Sequence, residues 1–364
     1  MLNMSYEAIY LILPFCWFFI LNWFFFFKTN FYTVRIITAK ADKNTKNNAN
    51  KKFHFSIVVY WGLINLVPLL FLTSFQHGVS TLFFWDHLNS NNLTNSLVVF
   101  ILYCNIVFLL FIFFLKFTKV NYNTDYIFAL INLSNFFPFL FLANNIFTMF
   151  FVLELNSTII FYKFIMSKVW YNRSVKNQKN TTNVLDKNIS QNYISVLFYQ
   201  YWTTFFSSTL LLFVLINLIY IYGSTDFFFL NVLELSLDNR GYYFNTKYKS
   251  VLFFILVFSV MLKIGFAPLQ LFKIELYKGI PLISIFFYTT FYFLVYFLYF
   301  NLLIILFLKT FNTFIYYPLF LFIVVGGSFV ISLLFDVTAL KAFLAYSSLI
   351  NSILFLSLII AGSI

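Results

Sequence analysis

The stretch that decides the fold is residues 250–272, SVLFFILVFSVMLKIGFAPLQLF, an apolar run that carries one charge, Lys263. A helix needs about 20 apolar residues to cross the hydrocarbon core of a bilayer, and this run is long enough. Pro268 removes a backbone donor, so the helix is predicted to break close to the lysine. A plain proline kink is one interpretation. A break beside a charge within the membrane is also typical of ion sites built from half-helices.

Ten such apolar runs follow one another along the chain. Hydrophobic residues make up 62% of the 364 residues and charged residues 9%, and the mean hydropathy is +0.88. Soluble proteins carry about a quarter charged residues, so a water-soluble fold could not hide this much apolar surface. The sequence therefore predicts an all-α polytopic membrane protein with about ten transmembrane helices. The predicted spans are 6–27, 55–75, 96–115, 126–143, 146–166, 194–222, 250–272, 281–307, 317–335 and 340–361.

Two of these spans are less regular than the others. The division of 126–166 into two helices rests on Asn144 and Asn145 as a polar turn. The run 194–222 is long, and we expect it to begin before the membrane or to tilt through it.

The net charge of +12 is distributed unevenly among the loops. Of the 23 Lys and Arg residues, 18 fall on one side of the predicted membrane, Lys273 among them, four fall on the other side, and Lys263 lies inside a helix. A bias of this kind marks the matrix or cytoplasmic side. It supports ten helices with both termini on the opposite side. It also explains the basic charge better than nucleic-acid binding does.

The sequence offers few parts for enzyme chemistry. His54, His77 and His87 lie at helix ends or in loops, whereas a membrane cytochrome needs histidines inside its helices. Cys16 and Cys104 lie in separate apolar runs, and there is no phosphate-binding loop, so metal, iron–sulfur and nucleotide sites are not predicted. The 58 Phe and 25 Tyr, with abundant Asn, Ile and Lys, are typical of an AT-rich genome, and an organellar genome fits so hydrophobic a product.

Two charged residues, Glu154 and Lys263, lie well inside predicted helices. An ionised side chain at the bilayer centre costs about 2.5–3.5 kcal/mol or more, so it usually faces a bundle interior or a wet cavity. We therefore expect the two to approach within salt-bridge or single-water distance. One interpretation is a structural ion pair, or a side chain that snorkels to the interface. The other is a proton relay, because a carboxylate that changes charge lets a buried lysine alternate between holding and releasing a proton.

Four blocks of sequence resemble the antiporter-like membrane subunits of respiratory complex I, and NADH dehydrogenase subunit 2 in particular. KIGFAPLQLFKIELYKGIP is similar to that family's pattern of K-x-G-x-A-P, a glutamate and G-I-P. FVLELNS resembles its helix with one membrane glutamate, LKAFLAYSSLINS its A-Y-S-S block, and QYWTTFFSSTLLLF a weaker block. The blocks cover about residues 145–355. The matching positions are Glu154, Asn156, Tyr201, Ser208, Lys263, Gly265, Ala267, Pro268, Glu275, Gly279, Ile280, Pro281, Leu340, Lys341, Ala345, Tyr346, Ser347 and Ser348.

The resemblance implies an antiporter-like fold of about fourteen helices, with two inverted five-helix repeats that each contain a broken helix. On that frame, residues 1–125 are predicted to form three N-terminal helices with a basic matrix loop. Residues 126–307 would form the first repeat and its half-channel, and 308–364 the start of the second repeat. The last helices of the fold are then expected on a separate chain.

The resemblance also implies a function: a proton-translocating subunit of mitochondrial NADH:ubiquinone oxidoreductase. Glu154 and Lys263 would be its proton relay pair, with Lys341 as a further candidate. Structural roles are implied for Gly265, Pro268, Glu275, Gly279 and Pro281. No cofactor is expected on this chain, because NADH, FMN, iron–sulfur clusters and ubiquinone belong to other subunits, so the chain would have no redox chemistry of its own.

The same resemblance implies partners and a location. The expected partners are other membrane-arm subunits, the chain that supplies the last helices, and lipids such as cardiolipin, but no nucleic acid. The expected location is the mitochondrial inner membrane, with the basic loops in the matrix.

Three positions depart from the family pattern. The family carries a lysine in the helix that follows the broken one, and here that position is Phe293, in a stretch (283–300) without any charge. Gln270 and Asn351 replace two histidines of the family's motifs. Two alternatives to a proton pump therefore stay open: a structural membrane-arm subunit with a degenerate proton path, and a cation/proton antiporter component. Waters or a neighbouring charge around Phe293 would favour transport, whereas dry aromatic packing would favour the scaffold.

Overall fold

The computed structural model of the protein describes residues 60, 62–64, 66, 67, 70, 81–83, 87–114, 124–176, 183–227, 246–266, 273, 274, 276, 277, 282–308, 316–335 and 340–363. The chain divides into two compact units, Met1–Leu142 and Ala143–Ile364. The domain boundaries expected from the repeat, at 125/126 and 307/308, remain a prediction.

Helices account for almost all of the described residues. They are α1 Asn92–Phe114, α2 Thr124–Leu142, α3 Ile146–Lys176, α4 Asn183–Tyr222, α5 Thr246–Ile264, α6 Leu282–Phe287, α7 Phe293–Leu308, α8 Tyr316–Leu334 and α9 Leu340–Ser363. The described residues between 60 and 70 are helical too. Two short strands, β1 Thr81–Phe83 and β2 Leu88–Ser90, form an antiparallel pair.

The helices coincide with eight of the ten predicted apolar runs. Run 6–27 lies outside the described residues, and 55–75 is described only in part. Among the described residues, four stretches are long and apolar enough to cross a membrane: Asn92–Phe111, Leu197–Tyr220, Ile285–Ile304 and Leu340–Leu358. Shorter apolar helical stretches follow the same pattern: Ala129–Leu142, Ile146–Tyr162, Val251–Ile264 and Leu319–Leu334. The chain is therefore an all-α multi-pass membrane protein, as predicted, and α4 begins well before its apolar part.

The polar turn predicted at Asn144 and Asn145 is present between α2 and α3. It is held by backbone pairing with the segment that follows α4. The Ile146 amide donates to the Thr225 carbonyl at 3.0 Å, and the Phe227 amide donates to the Asn144 carbonyl at 3.2 Å. The second unit thus begins with its loop backbone groups hydrogen-bonded, which a loop close to a membrane requires.

The sequence did not predict the β1–β2 pair. Its register pairs Thr81 with Ser90 and Phe83 with Leu88. The second strand leads straight into α1 through Asn91, whose amide donates to the Thr94 side chain at 2.7 Å. That bond is one arm of a capping box, and it satisfies a donor that the first turn of a helix leaves unpaired.

Pro138 lies inside α2 and cannot donate to the carbonyl four residues earlier, that of Ser134. The buried side chain of Asn105 on α1 takes over this role, because its amide Nδ2 donates to the Ser134 carbonyl at 3.0 Å. A neighbouring helix thereby satisfies the backbone acceptor that the proline leaves free. In the first unit this bond fixes the register of α1 against α2, which pack together.

In the second unit, α4 packs against both α3 and α5, α7 packs against α5 and α9, and α8 packs against α9. Residues 282–308 form one continuous helix, because a single π-helical turn, Tyr288–Tyr292, joins α6 to α7. A π turn carries one more residue per hydrogen bond than an α turn and often occurs at functional sites. In this helix the π turn changes the set of side chains that lie on the buried face.

We predict that Asn105→Leu destabilises the first unit by about 1–2 kcal/mol, because it leaves the Ser134 carbonyl buried without its donor. In a Pro138→Ala background the restored backbone amide satisfies that carbonyl, so the same substitution should cost clearly less. The measurement is the midpoint of thermal aggregation of the four variants in detergent, arranged as a double-mutant cycle. Equal losses in both backgrounds would contradict the coupling.

Candidate functional site

The break in the helix comes from Gly265. Its φ is +76°, a left-handed conformation that glycine adopts at low cost and that commonly ends helices. The amides of Gly265 and Phe266 both donate to the Met261 carbonyl, at 2.9 and 3.1 Å. Helix α5 therefore ends at Ile264, before Pro268 is reached, and Lys263 occupies its last turn. Pro268 itself lies outside the described residues.

Lys263 and Glu154 form a salt bridge between α5 and α3, in which Nζ donates to Oε1. The predicted approach of these two residues is confirmed. Their environments differ: the Lys263 side chain is 2% exposed and that of Glu154 is 30% exposed. The ammonium is thus sealed inside the second unit, whereas the carboxylate is partly open.

Ser208 on α4 completes the cluster. Its Oγ lies 2.5 Å from Glu154 Oε1, 3.4 Å from Lys263 Nζ and 2.7 Å from the Thr204 carbonyl. A hydroxyl has one hydrogen, so Ser208 donates either to the carboxylate or to the carbonyl. The other carboxylate oxygen lies 3.4 Å from the hydroxyl of Ser157. Ser208 came only from the weakest sequence block, and nothing in the sequence indicated its central place.

The electrostatics favour a charged pair that can still change state. The last turn of α5 carries the negative end of the helix dipole, which attracts the Lys263 ammonium. The carboxylate and the Ser208 hydroxyl attract it as well. Because one partner is partly exposed, a proton can reach the carboxylate without passing the buried lysine. The arrangement can therefore accept a proton at Glu154 and hold or release one at Lys263.

The remaining predicted site residues are placed as follows. Lys341 lies in the first turn of α9, and its side chain is partly buried. The side-chain hydrogen bonds to the Glu154–Lys263 pair come from Ser208 and Ser157. Asn156 is fully buried, and its amide has no hydrogen-bond partner among the described residues. Asn351 is exposed on α9. The residues outside the described part are Gln270, Glu275, Gly279 and Pro281.

The surroundings of Phe293 combine two features. The ring is buried and packs against Phe266, Phe297 and Phe355, with ring centroids 6.0, 6.4 and 5.6 Å away. Yet the Nζ of Lys273 lies over its face, 5.4 Å from the centroid. Aromatic packing and a neighbouring charge are both present.

Lys273 was predicted to follow span 250–272 on the basic side of the membrane, and its membrane side stays a prediction. Residues 273 and 274 are helical, and the Lys273 side chain is buried, at 2% exposure. The long apolar stem of a lysine packs among aromatic rings, and the ring face attracts the ammonium. Within the described part of the chain, no carboxylate pairs with it. Lys273 is therefore a second buried cation in the second unit.

No group of three or more His, Cys, Asp or Glu side chains that could hold a metal ion occurs among the described residues.

We predict an asymmetry between the two halves of the salt bridge. Glu154→Gln leaves the ammonium buried without its counter-ion and should destabilise the second unit by about 2 kcal/mol or more. Lys263→Met leaves a carboxylate that is partly exposed and still bonded to Ser208, so it should cost less. Thermal aggregation in detergent measures both, and the double variant should be more stable than Glu154→Gln alone. A more severe loss in Lys263→Met would contradict the burial that we describe.

Comparisons with known proteins place the fold. No protein-family model matches the chain. Over 84 residues, 23% of this chain and 53% of the relative, it is 40% identical to an uncharacterized mitochondrial protein, ORF4, of Paramecium tetraurelia.

Two solved structures share the fold. One is respiratory complex I from Thermus thermophilus with bound aureothin, with a TM-score of 0.56 and 11% identity over 84% of this chain and 60% of that chain. The other is the membrane-bound sulfane sulfur reductase, an archaeal respiratory membrane complex, with a TM-score of 0.61 and 13% identity over 96% and 63%. The chain thus spans less than two thirds of the proteins it resembles. It shares the fold of these two proteins of respiratory membrane complexes.

Proposed function

We propose that this chain is a proton-translocating membrane-arm subunit of a mitochondrial NADH:ubiquinone oxidoreductase, respiratory complex I, and corresponds to subunit 2. The observation that carries the proposal is the salt bridge between Glu154 and Lys263 at the broken end of α5. The antiporter-like fold supports it. Two observations support the mitochondrial assignment. The amino-acid usage is typical of an AT-rich genome, and the relative that matches 84 residues is a mitochondrial protein.

The pair can move a proton in a closed cycle of three steps. In the resting state Glu154 is a carboxylate and Lys263 an ammonium. A proton that reaches the partly exposed carboxylate neutralises it, and the ammonium loses its counter-ion. Lys263 then releases its proton into the onward path, since an unpaired buried charge is costly. Finally the Glu154 proton passes to the Lys263 amine, with which it is in contact, and the resting state returns. One proton has crossed the site.

In this proposal Ser208 is a positioning residue. When it donates to the carboxylate it stabilises the charged form, and when it turns to the Thr204 carbonyl it frees Oε1 to take up a proton. Redox chemistry stays on other subunits, which hold NADH, FMN, iron–sulfur clusters and ubiquinone. The basic loops face the matrix, in agreement with their charge bias, and can bind anionic lipids such as cardiolipin.

A second candidate function is a structural membrane-arm subunit with a degenerate proton path. The specific observation in its favour is the packing of Phe293 among three other phenylalanines, at the position of the family lysine. A third is a cation/proton antiporter component that needs no respiratory partner. Recovery of the chain within purified complex I would dismiss the third, and proton pumping by variants separates the first two.

We predict that Lys263→Met lowers the number of protons pumped per NADH oxidised, while the amount of assembled complex falls much less. Methionine keeps most of the length of the lysine stem but carries no proton. Lys341→Met should have a smaller effect, because Lys341 at the start of α9 also serves as a topology anchor.

Two neighbouring serines test the role of the cluster, one as the variant and the other as its matched control. Ser208→Ala removes the hydroxyl bonded to Glu154, whereas Ser207→Ala removes a buried hydroxyl whose hydrogen bond goes to the Thr204 carbonyl. The first should lower proton yield and the second should leave it unchanged. Normal proton yield in assembled Lys263→Met would sink the pump and leave the scaffold.

We also predict a partner at α8 and α9. Large apolar side chains on these two helices are exposed: Phe320, Leu321, Val324, Val325, Ile331, Phe343, Leu354 and Leu358. In the proposal, helices of a separate chain that completes the fold cover this surface. Cysteines at positions 321 and 354, cross-linked in the isolated complex, should capture a second membrane polypeptide, which mass spectrometry would identify. Labelling by lipid analogues alone at both positions would count against it.

A further inference from the structure

A row of buried tyrosines follows one face of α6 and α7, on the inside of the second unit. Tyr288, Tyr292 and Tyr296 are between 1% and 4% exposed. Neighbouring rings lie against each other, with centroids 4.3 Å apart for Tyr288 and Tyr292 and 4.4 Å apart for Tyr292 and Tyr296. Three phenol groups thus follow one another within an apolar bundle.

The π turn keeps these residues on one face. In an α-helix, positions four apart are offset by about 40°, so successive tyrosines would drift around the axis. The π turn Tyr288–Tyr292 has more than four residues per revolution, so a step of four positions rotates by less than 360°. The angular offset between the side chains then has the opposite sign to that in an α-helix. The ring planes of Tyr288 and Tyr292 are 13° apart. The π turn, which is rare in proteins, thus helps to keep the three tyrosines on one face of the helix.

Each end of the row lies next to a segment that carries a buried lysine. Tyr296 is on α7, which packs against α5, the helix that carries Lys263. At the other end, the ring of Tyr277 meets that of Tyr288 edge-on, with centroids 5.9 Å apart. Tyr277 is fully buried, and its hydroxyl has no hydrogen-bond partner among the described residues. Lys273 lies four positions before Tyr277, and both residues are helical, which places the two on one face.

We propose that Lys273 is a second proton-carrying station, and that Tyr277, Tyr288, Tyr292 and Tyr296 connect it to the Glu154–Lys263 pair. The inference rests on the proposed function and specifies how protons pass Phe293. Lys273 Nζ lies 5.4 Å from the centre of that ring, so a cation is present beside the position of the family lysine although the helix itself has none.

The transfer is balanced at every step. The proton released by Lys263 enters the row at Tyr296. Each phenol oxygen receives a proton from one neighbour and gives its own to the next, so no phenolate accumulates. The neutral amine of Lys273 takes the last proton and becomes an ammonium, which the face of Phe293 stabilises. When that proton leaves, the hydroxyl hydrogens turn back and the row is ready again.

The test uses purified complex in liposomes, with protons pumped per NADH oxidised as the readout and the amount of assembled complex measured alongside. Lys273→Met should lower proton yield as far as Lys263→Met does. Adding Phe293→Lys to Lys273→Met should restore most of it, because the cation returns to nearly the same place from the other helix. A structural role for Lys273 alone would not predict this rescue.

Tyr292→Phe tests the row independently of Lys273, since it keeps the stacked ring and removes the hydroxyl. It should lower proton yield, and Tyr220→Phe, at a position 88% exposed on α4, is the matched control that should not. Unchanged yield in Tyr292→Phe, or in assembled Lys273→Met, would overturn the inference. If Lys263→Met lowers the yield in the same experiment, the proposed function survives that failure. If it does not, both fall together.

Discussion

The structure of the second unit depends on the cost of one charge. Lys263 lies in an apolar helix and is almost fully buried, so its ammonium needs a partner. Glu154 and Ser208 supply it from two other helices, and the three side chains thereby fix α3, α4 and α5 in one register. Apolar side chains alone would allow these helices to slide, because lipid is as apolar as their partners. The polar cluster therefore determines the packing as well as the chemistry.

The same solvent imposes a second constraint, on the backbone. Every amide and carbonyl inside a bilayer needs a partner within the protein. The chain meets this need in two ways where a helix is interrupted. Gly265 turns the end of α5 so that two amides share the Met261 carbonyl. At Pro138, Asn105 of a neighbouring helix donates to the carbonyl that the proline leaves free. Breaks that would be costly in lipid thus become fixed points of the fold.

Much of this could be predicted from the sequence, for physical reasons. Apolar runs of membrane length predict helices because no other open structure satisfies its backbone in lipid, and eight runs became helices. Glu154 and Lys263 were predicted to form a pair because an unpaired charge inside the membrane is costly. The burial of Lys273 was not predicted, because its charge resembles that of a loop anchor, and its position over the ring of Phe293 is visible only in the structure. The π turn and the β1–β2 pair depend on contacts between distant residues, which local sequence does not contain.

The position of Lys273 changes how the absence of a lysine at residue 293 should be understood. A membrane proton path needs titratable groups at certain places in the bundle, and it does not matter which helix carries them. Phe293 lies on α7, and the ammonium of Lys273, which precedes α6 in the chain, lies over its ring. The charge that α7 lacks is therefore supplied by a neighbouring segment. The aromatic ring beside it stabilises the cation without holding a proton itself. Aromatic packing around Phe293 and a proton path are therefore compatible, since the row of tyrosines lies on another face of the same helix and does not pass through the phenylalanines.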